Sequence, residues 1–177
     1  MKYKALFMNK EKQIVRNWLK VFIAVLFLSG LTAIPVEREL SYVVDHFPFE
    51  GSIKGFLDEV LIGIKHTSND YPFLFYGYDW LAFAHFVLAI LFIGPLRNPV
   101  KNKWVIEFGV IACILIIPFA MVAGHFRGIP FWWRLIDCSF GIIGIVPLAI
   151  CLKNIKLLEV EEKEKSEKKE AFDLLIA

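Results

Sequence analysis

Residues 104–152 read WVIEFGVIACILIIPFAMVAGHFRGIPFWWRLIDCSFGIIGIVPLAICL, and this stretch decides the fold class. Two apolar runs, residues 104–124 and 133–152, flank the short connection HFRGIPFWWR. Each run approaches the ~20 residues an α-helix needs to cross ~30 Å of hydrocarbon. Gly128 and Pro130 shape the connection as a tight turn. The stretch therefore predicts two membrane helices joined as a hairpin.

Working outward, two further apolar runs cover residues 18–36 and 80–96, the latter short unless it begins within FLFYGYDW. The first follows Lys2, Lys4, Lys10, Lys12 and Arg16, as a secretory signal would, yet it ends in IPVEREL without a small-residue cleavage pattern and reads as a retained helix. Composition agrees with a membrane class. The 177 residues are 57% hydrophobic and 15% aromatic, with a mean hydropathy of +0.56, above what a water-soluble domain carries. The expected fold is all-α, an integral membrane four-helix bundle with a short amphipathic extracytoplasmic helix between spans 1 and 2. Residues 1–17 form a basic N-terminus, 18–152 the membrane domain with an outer loop at 37–79, and 153–177 a charged tail.

Two signals orient the spans. Lys and Arg collect in the N-terminal segment, between the second and third spans (Arg97, Lys101, Lys103) and after the fourth (Lys153, Lys156). The positive-inside rule puts these segments, and both termini, in the cytoplasm. The 37–79 loop holds Glu37, Glu39, Asp45, Glu50, Asp58, Glu59, Asp70 and Asp79 against Arg38, Lys54 and Lys65, which agrees with export. Trp18, Trp80, Trp104, Trp132 and Trp133 all fall at span ends, where an amphipathic indole prefers the interface.

Within that loop, Ile53, Phe56, Leu57, Val60, Leu61 and Ile64 recur at helical spacing while Lys54, Asp58, Glu59 and Lys65 take the other side. A surface helix is expected there, with Ser52 as its N-cap. The aromatic strip Tyr71, Phe73, Phe75, Tyr76 and Tyr78 that follows suits membrane anchoring. The C-terminal EVEEKEKSEKKEAFDLLIA, a nearly balanced run of Glu and Lys, is expected as a solvated tail, with i,i+4 pairs as the means by which it would extend the fourth helix. The outer loop 37–79 and the tail 153–177 are the two segments open to a protein partner.

No Walker, GxGxxG, HExxH, CxxC or GxSxG pattern occurs. Cys113, Cys138 and Cys151 lie in or beside apolar segments and read as packing residues. His46, His66, His85 and His125 stand nowhere at i,i+3 or i,i+4, so neither metal nor haem is expected and no cofactor is assigned. With a net charge of +2 and its basic residues beside apolar runs, the chain carries no nucleic-acid footprint.

Ionisable groups at membrane depth are the informative ones, because a charge in hydrocarbon costs several kcal/mol and survives where it is paired or faces a polar interior. His85, Glu107, Arg134 and Asp137 qualify. Glu107, at the cytoplasmic end beside Lys103, reads as structural. Asp137 shares a helix face with Arg134, Gly141, Gly144 and Leu148, and His85 one with Ala82 and Ala89, so both stripes read as packing faces. Asp79, His85, His125, Arg127, Arg134 and Asp137 fall at one outer level and form the candidate site. Guanidinium binds phosphate in bidentate fashion, so an anionic lipid or envelope-precursor headgroup is the expected ligand. Two other readings stand beside it: the polar set only holds helices together in a scaffold or assembly subunit, or His85 and Asp137 form an acid/base pair in a small enzyme.

DWLAFAHF (residues 79–86) and RGIPFWWRLIDCSFGIIG (residues 127–144) resemble the VanZ-like membrane proteins. In that bacterial family a helix opening with Asp and His-Phe is followed by a turn, an Asp on the last helix and a glycine stripe. The resemblance implies an inner-membrane location, a role in the cell envelope, and treatment of Asp79, His85, Arg127 and Asp137 as one functional corner.

The orientation is open to direct test. In a cysteine-free background expressed in intact cells, Ser68→Cys is expected to react with a membrane-impermeant maleimide and Ser166→Cys to react only after permeabilisation. The reverse pattern would refute the assigned sides.

Overall fold

The computed structural model describes residues 2–176, and among them there is no strand. The helices are α1 (Lys2–Ala33), α2 (Val36–His46), α3 (Gly51–Asp70), α4 (Tyr76–Leu91), α5 (Ile93–Arg97), α6 (Lys103–Phe126) and α7 (Phe131–Ile176), with a short 3-10 turn at Pro72–Phe75. Four segments are long and apolar enough to cross a membrane: Lys10–Ala33, Pro72–Arg97, Lys103–Phe126 and Phe131–Ile176. In hydrocarbon a backbone must satisfy its own polar groups, and a continuous helix does so within one segment. The protein is an all-α, four-span membrane protein.

The chain forms two compact units, one of Met1–Ile23 with Leu91–Ala177, the other of Ala24–Ile90. In the first, α6 and α7 form an antiparallel hairpin, and small residues set how closely they approach. A Cβ at Gly141 would collide with the Cys113 carbonyl oxygen, and one at Gly144 would lie 2.8 Å from Cys113 Sγ. At Gly109 it would lie 2.7 Å from the Phe92 ring and 2.9 Å from Leu148. Cys138 Sγ rests 3.8 Å from the Ile117 carbonyl, and Cys151 Sγ 3.7 Å from the Val15 carbonyl of α1. Fully buried Val15, Leu19, Ile106, Leu148, Ile155 and Leu158 complete this core. The opposite faces of the hairpin stay apolar and exposed at Ile111, Ile114, Leu115, Phe119, Phe140, Ile142 and Ile143, the surface that lipid covers.

The second unit uses the same device. A Cβ at Gly30 of α1 would lie 2.9 Å from the Ala82 carbonyl oxygen, His85 Cβ and the Phe86 ring of α4, so the helices touch there almost backbone to backbone. Phe27 and Phe86 pack beside this point with ring centroids 5.1 Å apart. Ala82 and Ala89 are buried, so the small-residue stripe on the His85 helix is a packing face. In α3 the buried residues are Leu57 and Leu61, while Lys54 and Asp58 pair at 2.7 Å on its outer side. Helix α3 packs against α2 and the 3-10 turn.

Three local features depart from the expectations. Ser52 is not the N-cap of α3: the helix begins at Gly51, whose φ of 61° reverses the chain after Glu50, and no side chain caps it. The first helix ends at Ala33, short of residue 36, because Ile34 and Pro35 form a turn from which a separate helix, α2, starts. Proline cannot extend α1, since it has no N–H to donate to the preceding turn. As its length requires, the second span takes in FLFYGYDW: the 3-10 turn Pro72–Phe75 leads into α4, which begins at Tyr76. The tail is not coil: the 46 residues of α7 run unbroken to Ile176, with most side chains beyond Glu161 exposed to solvent.

Gly141→Ala is expected to destabilise the protein by about 1–3 kcal/mol, the usual cost of overpacking a filled contact. Gly63→Ala in α3, where nothing lies within 4 Å of an added Cβ, is expected to stabilise by up to about 1 kcal/mol through helix propensity. Thermal melting of the two detergent-solubilised variants reads both signs.

Candidate functional site

The hairpin turn builds the site. Helix α6 ends in a Schellman motif: Gly128, at φ 69°, lets its N–H reach the His125 carbonyl (3.2 Å) while the Ile129 N–H reaches the Gly124 carbonyl (2.9 Å). Pro130 then starts α7, its carbonyl accepting from the N–H groups of Trp133 and Arg134. This turn returns the chain so that the first turn of α7 stands beside the last turns of α6.

Arg134 is thereby laid across Gly124. A Cβ at Gly124 would sit 2.5 Å from Arg134 Cδ and 2.7 Å from Cγ, so only glycine leaves room for the arginine stem. Arg134 Nη1 donates to the Met121 carbonyl at 3.3 Å, and its guanidinium carbon lies 5.4 Å from the centre of the Phe131 ring. Nε is buried and meets no acceptor among the described residues. Asp137 lies half-buried less than one turn further along α7, yet no ion pair between described residues joins it to Arg134. The cation is thus positioned by a carbonyl and a ring, without a carboxylate to neutralise it. Exposed His125 and Arg127 stand at the end of α6 and in the turn itself.

Four of the six candidate residues, His125, Arg127, Arg134 and Asp137, are brought to this one end of the hairpin. Asp79 and His85 belong to the other unit, on α4. Asp79 is exposed in the first turn of that helix, where a carboxylate favours the positive end of the helix dipole. His85 is half-buried, and its Nδ1–H donates to the Leu81 carbonyl at 2.8 Å, which leaves Nε2 as the acceptor nitrogen. Among the described residues no three His, Cys, Asp or Glu side chains are grouped to hold a metal ion.

At the far end of the hairpin, Lys103 Nζ is held by both oxygens of Glu159 (3.0 and 2.9 Å), with Glu107 at 4.0 Å. The sequence pairs Lys103 with Glu107 by proximity. The partner that wins lies 56 residues away and is found only once α7 is known to stay helical past the membrane. Gly124 is likewise invisible as a site residue in the sequence, since its function depends on what the turn lays over it.

Comparison with protein-family models, with curated proteins and with solved structures returns no match to this chain. The class defined by fold and site is therefore that of a four-span α-helical membrane protein with a cationic hairpin end.

Arg134→Met is expected to leave the melting temperature unchanged or to raise it, because the apolar side chain keeps the volume over Gly124 and removes a half-buried charge that has no counter-ion. A drop equivalent to more than about 1 kcal/mol would assign the arginine a structural role.

Proposed function

We propose that this protein recognises an anionic headgroup, phosphate-bearing, at the membrane surface where the α6–α7 turn emerges, the outer leaflet in the orientation read from the basic segments. The observation that carries the reading is Arg134, a guanidinium fixed in place by Gly124, Met121 and Phe131 and in no ion pair among the described residues. Such a group is preorganised for an incoming anion, and Arg127 and His125 add positive charge or hydrogen-bond donors at the same level. Trp132 and Trp133 in the first turn of α7 suit the headgroup region. The VanZ-like motifs support the same reading and point to an envelope role in a bacterial inner membrane.

A second reading is favoured by α7 itself. Its 46 residues reach about 70 Å at 1.5 Å per residue, more than twice what a membrane crossing needs. The projecting part ends in exposed Leu174, Leu175 and Ile176, a surface suited to an assembly partner.

Lipid bound to protein purified from native membranes separates the readings. Arg134→Ala and Arg127→Ala are each expected to weaken retention of anionic lipid about tenfold, the usual loss for one charge-assisted contact, and Gly124→Ala to do so by displacing the Arg134 stem. Unchanged bound lipid in all three variants would refute headgroup recognition, and recovery of one defined protein with wild type but not with a chain ending at residue 160 would support the assembly role.

A further inference from the structure

A second cationic cluster lies at the opposite end of the same unit, and headgroup recognition at the turn makes no use of it. Arg97 closes α5, and the connector after it is tied down by its own hydrogen bonds. The Asn98 N–H reaches the Gly94 carbonyl (3.0 Å), the Lys101 N–H reaches Asn98 Oδ1 (3.0 Å), and Asn102 Nδ2 donates to both the Gly94 and Asn98 carbonyls (3.2 and 3.0 Å). Pro95 and Pro99 are buried beneath it. The connector is therefore a hydrogen-bonded wall. Facing it on α1 are Lys12 and Arg16, one helical turn apart and so on one side of that helix.

Together these elements enclose a concavity of about 130 Å³ whose lining includes Lys12, Arg16, Arg97, Asn98, Pro99 and Glu162. At about 30 Å³ per water this space holds roughly four waters, enough for a phosphate group. None of the ion pairs between described residues involves Lys12, Arg16 or Arg97. Lys103, close by, is different: its ammonium is already held by Glu159. Three unneutralised cations on two separate elements thus meet one carboxylate, Glu162, around a preformed cavity. Like charges at i,i+4 on α1 oppose helix formation, and an anion between them and Arg97 reverses that repulsion. Exposed Trp104, in the first turn of α6, sets this level at the membrane boundary.

We propose that this concavity binds a phosphate-bearing anion, with Lys12, Arg16 and Arg97 as its cations and Glu162 as a carboxylate that limits its affinity. Phosphate chemistry is common to a lipid headgroup in the adjoining leaflet and to a free phosphate in the aqueous phase. The site stands apart from the turn-end arginines in residues and position, so either site can fail without the other.

The full chain in neutral detergent, probed by native mass spectrometry with phosphatidylglycerol and by calorimetry with inorganic phosphate, tests the assignment. Of the phosphatidylglycerol that wild type binds, one molecule is expected to be bound about tenfold more weakly by Lys12→Gln/Arg97→Gln, and that molecule is kept in Arg134→Ala, which loses only the one at the turn. Glu162→Gln is expected to bind several-fold more tightly, a gain that an unfolded variant cannot produce. Phosphate binding with the same dependence on Lys12, Arg97 and Glu162 would support the site and name a soluble anion as its source. Equal affinity of wild type and both variants for both probes would overturn the proposal, and if the double variant does not fold, an unchanged Glu162→Gln overturns it alone.

Discussion

The tightest glycine contact among the described residues, Gly141 of α7 against the Cys113 carbonyl of α6, is the contact on which the first unit depends. Between membrane helices there is no hydrophobic drive to associate, because lipid tails are as apolar as Leu or Ile. Dispersion and weak backbone contacts hold the hairpin only if the backbones can come near, and glycine and cysteine are the residues that permit it. Everything polar in this unit is placed as a consequence. At one end the closed hairpin lays Arg134 over Gly124, and at the other it brings Lys103 within reach of Glu159.

The two hairpin ends treat positive charge differently, and the difference is chemical. Lys103 is neutralised by a bidentate contact to a carboxylate, so its ammonium contributes to holding α6 and α7 in register. Arg134 has a carbonyl and an aromatic face but no anion, and Lys12, Arg16 and Arg97 surround a cavity with one carboxylate on its wall. A charge left in this state beside a low-dielectric phase is a place where an external anion gains more than it would in water. The unit has two such places at opposite ends of a helix pair roughly 36 Å long, taking 24 residues at 1.5 Å each. That length suffices for one crossing of a bilayer.

The spanning segments, the α3 helix and the packing role of the Gly141–Gly144 and Ala82–Ala89 stripes were legible in the order of residues, since hydrophobic length and helical period act locally. Tryptophan positions and the basic segments add a reading of depth and side by the same local means. The Ser52 cap was not legible. A serine before an apolar run is the usual signal, but Gly51 with positive φ starts the helix first and leaves Ser52 inside it. Helix α2 does carry an apolar period, with Val36, Leu40, Val43 and Val44 at helical spacing, whereas the helical tail is short of apolar residues and its helicity rests on propensity and continuity.

The sequence by itself determined that this is a four-span helical membrane protein, because the bilayer reads apolar length directly from the chain. Only the tertiary structure decided which ionisable residues meet. It gathered His125, Arg127, Arg134 and Asp137 at one turn, set Asp79 and His85 in a separate unit, added Glu159 to Glu107 as the nearer partner of Lys103, and assembled Lys12, Arg16 and Arg97 from segments some 80 residues apart. Such meetings depend on how closely helices approach, a property of glycine contacts across the fold that no local pattern encodes.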